Sequence, residues 1–94
     1  MSITRVTEFI AAKGKEDELR SLLTSVVPYI TSSMGCLSCE ILRQLEKPQC
    51  FVAIERWSDI EAHKLCVAQF PKDKLDAAMR LVAHPPAGGY YQGS

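Results

Sequence analysis

The chain has 94 residues, 47% of them hydrophobic, and its eleven Lys and Arg are balanced by eleven Asp and Glu. That length fits one domain, residues 1–94, whose modest core would gain from pairing with a second copy, so a homodimer is expected. Neutral charge without a Lys/Arg stripe argues against a nucleic-acid partner. No apolar run approaches the roughly 18 to 20 residues of a bilayer span, and MSITRVTEF lacks the apolar core of a signal peptide, which predicts a cytoplasmic protein with no membrane partner.

Ile3 to Ala11 reads as a strand, with Val6, Glu8 and Ile10 on one face and Arg5, Thr7 and Phe9 on the other. Gly14 breaks it. Glu16, Asp17 and Glu18 then suit the positive end of a helix, and Leu19, Leu22, Leu23, Val26 and Ile30 follow at helical spacing. Pro28 is expected to kink that helix or loosen its last turns before Met34-Gly35 ends it. A second strand is predicted over Cys36 to Leu45 and a third over Cys50 to Trp57, joined by the polar turn Glu46-Lys47-Pro48-Gln49 as an antiparallel hairpin. Ser58 with Glu61 forms a capping box, so a helix starts directly after the strand. Pro71 interrupts it, and Leu75, Ala78, Met79 and Val82 mark another helical segment ending before Pro85-Pro86. The tail AGGYYQGS supplies a short last strand weakened by its glycines, either swapped between copies or disordered over 86–94. The order strand, helix, strand, strand, helix, helix, strand predicts an α+β, ferredoxin-like split β-α-β domain with a four-stranded antiparallel sheet. Its bare sheet face is suited to a symmetric partner.

Four cysteines in a reducing compartment are expected to be free thiols. Cys36 and Cys39 with Cys50, His63 and Cys66 resemble a scattered zinc set, but residues three apart on a strand point to opposite faces, so no metal is expected.

The first strand ending V-x-x-F-x-A-x-x-G-K, the segment Gly35-Cys36-Leu37 with Glu40 and Leu42, and Glu55-x-Trp57-x-Asp59-x-x-x-His63 together resemble the antibiotic biosynthesis monooxygenase superfamily of dimeric α+β barrels, from about Ile3 to Phe70. The resemblance implies fold and dimer more firmly than reaction, because members include cofactor-independent monooxygenases of phenols and quinols, haem-degrading enzymes and an isomerase of a phosphorylated sugar. It implies a small aromatic substrate and no cofactor. Three departures bear on the site: a strand-one asparagine of haem-degrading and some phenol-oxidising members is Thr7 here, a frequent tyrosine is Cys39, and no histidine stands near Val67 to bind haem, with His84 poorly placed before two prolines.

Strand alternation puts Phe51, Ala53 and Glu55 on the face that carries Trp57. The resemblance adds Thr7, Phe9, Cys39, Ile41 and Arg43 to it, an apolar pocket with a few polar groups. The expected catalytic pair is His63 as base and Trp57 as pocket wall, with Thr7, Phe9, Cys39, Arg43, Phe51 and Glu55 binding substrate. Each has a plainer role open to it. Trp57 suits the core, His63 an exposed helix face, Glu55 a pairing with a buried amide or Arg43, and Tyr90 and Tyr91 a dimer interface. Besides a monooxygenase, two other classes stay open: an isomerase or lyase using Arg43 to hold an anionic carbonyl compound, and a non-catalytic ligand-binding dimer.

Overall fold

A computed structural model describes residues 2–93; Met1 and Ser94, the ends of the expected domain, lie outside the described residues. Seven elements follow in the expected order: β1 (Ile3–Ile10), α1 (Glu16–Thr31), β2 (Cys36–Arg43), β3 (Cys50–Trp57), α2 (Ile60–Ala68), α3 (Lys72–Met79) and β4 (Ala87–Tyr91). The strands form one antiparallel sheet in the order β2-β3-β1-β4. This is the α+β ferredoxin-like fold.

Register ties the faces together. Arg5 lies opposite Glu55, Thr7 opposite Ala53 and Phe9 opposite Phe51, while on the other edge Arg5 faces Tyr90 of β4. The helices cover this face. Its core joins Ala11, Leu19, Leu23 and Phe51, with Phe9, Ile41, Leu81 and Val82 packed against them. The apolar stripe of α1 thus divides, Leu19 entering the core, Leu22, Val26 and Ile30 bordering a cavity, and Leu23 doing both.

Several expected boundaries shift for local reasons. Pro28 sits inside a helix that continues to Thr31. It removes one donor, toward Thr24, and both residues lie on the exposed side of α1, where the freed carbonyl faces water. β1 ends at Ile10, and β2 at Arg43 rather than Leu45. Leu81 to Ala83 are not helical: Ala83 N–H donates to the Ile10 carbonyl at 2.7 Å and Ala12 N–H to that of Leu81 at 2.8 Å, so this segment pairs beside the end of β1. Helix α2 is capped by Asp59, whose Oδ1 accepts from Ala62 N–H at 2.8 Å, in place of Ser58. Residues Ala87–Tyr91 pair with β1 of their own chain.

A bulge in β2 between Cys36 and Ser38 sets Cys36 opposite Trp57 and Cys39 opposite Glu55. The two thiols therefore share the helix-covered face, contrary to simple alternation, because the bulge absorbs one residue. All four cysteines are free. The turn before β2 depends on Gly35 at φ +87°, where an added Cβ would stand 2.6 Å from the Ala62 Cβ and 2.8 Å from Ser58 Oγ. Gly35 also accepts from Ser58 N–H at 2.8 Å, so one glycine joins the entry of β2 to the entry of α2.

Candidate active site

Between the inner sheet face and the three helices lies a cavity of about 380 Å³, in the size range of small-molecule sites. Most of its wall is apolar, with Phe9, Ile41, Leu22, Val26, Ile30 and Phe70 prominent. Its polar groups gather where β1, β3 and α2 meet: Arg5, Thr7, Glu55 and His63. Alternation along β1 and β3 turns Arg5, Thr7 and Glu55 inward, and the Asp59 cap starts α2 so that His63, one turn in, points back at the sheet.

His63 is only 8% exposed. Its Nδ1 is 2.8 Å from the Tyr90 hydroxyl, and its Nε2 is 4.0 Å from Glu55 Oε1. The same Glu55 oxygen accepts a hydrogen bond from Trp57 Nε1 at 2.9 Å. The imidazole stands between two aromatic rings, with edge-on contacts to Trp57 and Tyr90 at centroid separations of 5.5 and 5.4 Å. Burial pushes Glu55 above the usual carboxylate range, opposed by the indole hydrogen bond and the charge of Arg5. Burial also lowers His63 below its ordinary 6.5, and Arg5 lowers it further. The result is a neutral imidazole facing a carboxyl group that ionises reluctantly, a pair able to accept and return a proton.

Of the residues expected at the site, Thr7, Phe9, Glu55 and His63 line the cavity. Trp57 does not; it is fully buried behind His63 and Glu55, its indole orienting the carboxyl group. Phe51 is also outside, 1% exposed in the core with Leu19 and Leu23. Arg43 lies at the far end of the hairpin, its Nε donating to the Pro48 carbonyl at 2.6 Å and its guanidinium stacked 5.3 Å above the Phe51 ring. Cys39 faces the same way as Glu55 but is absent from the lining, and burial pushes its thiol up to about 12, leaving a poor nucleophile. Among the described residues, Glu55 pairs with neither Arg43 nor an amide.

Residues 2–65 match the antibiotic biosynthesis monooxygenase family. The chain belongs to that family. No curated protein sequence matches it. Among solved structures, this antibiotic biosynthesis monooxygenase domain is similar to SnoaB, a cofactor-independent oxygenase from Streptomyces nogalater, at 21% identity and TM-score 0.87, covering 99% of this chain and 93% of that one. Rv0793 from Mycobacterium tuberculosis superposes at 16% identity and TM-score 0.88 over 100% of this chain and 96% of its own. A conserved protein from Methanosarcina mazei Go1 gives 17% identity and TM-score 0.90 over 100% and 94%. At such identities the likeness establishes the fold.

Two residues of this candidate site, Arg5 and Tyr90, are not among the ligand-binding groups expected from sequence, which gives Tyr90 only a place at a dimer interface. Arg5 was readable as an inward residue beside Thr7 and Phe9. Tyr90 stands beyond the matched 2–65 segment, and only the pairing of β4 with β1 brings it to His63.

Proposed function

We propose that this protein is a cofactor-independent monooxygenase that oxidises a small phenol or quinol with dioxygen. The observation that carries the reading is a buried His63, which burial holds below its ordinary pKa, beside Glu55 in the wall of a mostly apolar cavity. With Nδ1–H donated to Tyr90, the Nε2 lone pair faces the cavity and removes the hydroxyl proton of the substrate. The imidazolium is stabilised by the Glu55 carboxylate 4.0 Å away. The electron-rich anion passes one electron to dioxygen, and the radical pair recombines at a ring carbon to form the C–O bond. His63 returns its proton to the peroxide, and loss of water across the O–O and C–H bonds leaves a quinone. One oxygen atom enters the product and the other leaves as water, with all electrons drawn from the substrate. Apolar walls exclude water from the intermediates.

Oxygen uptake with quinols and anthrones, combined with labelled dioxygen, tests this: one labelled atom should appear per quinone formed. No uptake above the uncatalysed rate would end the reading. A second reading, proton transfer on an anionic carbonyl compound by an isomerase or lyase, is favoured by the presence of Arg5 beside the His63–Glu55 pair, a role for which Arg43 is too distant. It requires turnover under anaerobic conditions. Ligand binding with neither activity marks a non-catalytic dimer.

The same reading takes a second copy as partner. The sheet face away from the helices carries Val6, Val52, Ile54, Leu42 and Tyr91, the last two 43% and 59% exposed. A face of this kind is stabilised by a like face. Light scattering should give twice the chain mass.

A further inference from the structure

We propose that Arg5 is an anion-binding residue, and that the natural ligand is a hydroxyaromatic carboxylate with its carboxylate on the ring position next to the hydroxyl. The proposal rests on the site described above, but not on which reaction the site performs.

Arg5 borders the cavity and is partly buried. Among the described residues no carboxylate lies within ion-pairing distance of it, although Glu55 is its register partner on β3. Its contacts with the protein are neutral: Nε donates to Thr7 Oγ1 at 3.3 Å, and Cζ lies 4.7 Å above the Tyr90 ring. These fix the plane of the guanidinium and leave its Nη groups without a hydrogen-bond acceptor among the described residues. β4 leaves room for this. A Cβ at Gly88 would stand 2.7 Å from Arg5 Cζ and 3.0 Å from Nε, so the glycine holds open the volume that the guanidinium occupies.

Glu55 acts on this cation only from beyond ion-pairing distance, and the Nη groups are not sealed among unsatisfied buried atoms, so they stay open to an anion that enters the cavity. A guanidinium with free Nη groups matches a carboxylate, which accepts two parallel hydrogen bonds. A phenol is neutral near pH 7 and does not arrive as an anion. The hydroxyl must reach His63 and the carboxylate must reach Arg5, and both groups stand against the same Tyr90 ring, at 4.7 Å for the guanidinium and 5.4 Å for the imidazole. The two substituents therefore belong on neighbouring ring positions. Lys74 also borders the cavity, but its side chain is on α3, which has no buried residue, so it is a hydrated rim charge.

Calorimetric titration of the full chain without oxygen, with 1-hydroxy-2-naphthoate, its carboxamide and 6-hydroxy-2-naphthoate, tests the assignment. The wild type should bind the first about 10- to 100-fold more tightly than the carboxamide, the size of a charge-assisted pair. Arg5→Met should abolish that preference, Arg5→Lys restore part of it, and Lys74→Met leave it in place. Gly88→Ala, which displaces the guanidinium without removing it, should weaken the carboxylate and spare the carboxamide. Equal binding of carboxylate and carboxamide by the wild type overturns the proposal without any variant, as does an undiminished preference in folded Arg5→Met. Equal affinity for the 6-hydroxy isomer removes the adjacency of the two groups. Because binding is read without turnover, a carboxylate preference with no oxygen uptake refutes only the monooxygenase, and uptake of neutral quinols without that preference refutes only the role of Arg5.

Discussion

Replacing Trp57 with Phe separates the structural from the catalytic meaning of the indole. Trp57 is fully buried, outside the cavity lining, and its Nε1–H is held by Glu55 at 2.9 Å. Phe keeps an aromatic ring but deletes that donor. Loss of a buried hydrogen bond to a carboxylate costs about 1.5–3 kcal/mol, and the smaller ring adds about 1 kcal/mol of lost packing. The sum, about 3 kcal/mol, lowers the melting temperature of a domain this size by roughly 10–20 °C. The cost depends on pH, because the indole hydrogen bond favours the ionised carboxyl group whose pKa burial raises. Without it Glu55 protonates more readily, so the destabilisation should be larger at pH 7.5 than at pH 5. Thermal and urea denaturation of wild type, Trp57→Phe, Glu55→Gln and the double variant give the coupling directly. In the Glu55→Gln background the pH-dependent part of the Trp57→Phe cost should vanish. A cost that is the same at both pH values, or unchanged in that background, would refute the view that Trp57 acts by holding Glu55.

His63→Gln should reduce oxygenation about 10²–10⁴-fold while the protein stays folded, measured by oxygen uptake and circular dichroism. In the wild type, turnover should stay level at neutral pH and fall only below the ordinary histidine value of 6.5, since His63 titrates lower than that. The sign for stability is the same: the folded state holds fewer protons at His63 than the unfolded chain, so stability drops as pH falls from 6.5 through the folded value, and His63→Gln should flatten that drop. Tyr90→Phe removes the hydroxyl 2.8 Å from His63 Nδ1 and should cost about tenfold in kcat with about 1 kcal/mol of stability. Gly35→Ala should destabilise by about 2 kcal/mol or more, from its positive φ and the close approach of Ala62 and Ser58, read as a fall in melting temperature. Pro28→Ala should instead stabilise by about 1–3 kcal/mol, restoring a donor within α1 on its exposed side.

The fold was legible because its signals are periodic. Alternation in β1 and β3 and the leucine spacing of α1 each set a buried face from neighbouring residues alone, and the observed register agrees with them. Local chemistry was harder to assign where two candidates adjoin. Ser58 and Asp59 are both good caps, and the choice follows from which one Gly35 leaves free: Ser58 N–H is already bonded to the Gly35 carbonyl as the strand ends, and Asp59 opens the helix. The spacing of Val82 from Met79 predicts helix, but its pairing with Ala11 is a contact between distant parts of the chain.

The site was legible in direction but not in extent. Strand parity says which side chains face the helices, and Arg43, Phe51, Cys39 and Trp57 all do so by register. It does not say where along an eight-residue strand, about 26 Å long, the helices stand off far enough to leave space. That depends on how Leu19 and Leu23 of α1 fill one end of the inner face, which closes the region of Phe51 and leaves open that of Ala53 and Glu55. Tyr90 was hidden for another reason. Its strand, AGGYY, has weak strand character, so its register on β1 comes from the edge that β1 offers rather than from its own residues. Yet Gly88, one of the glycines that obscure the strand, makes the space in which Arg5 lies, and alternation then sets Tyr90 beside both Arg5 and His63. The feature that made the last strand hard to read thus also admits a charged group to the cavity.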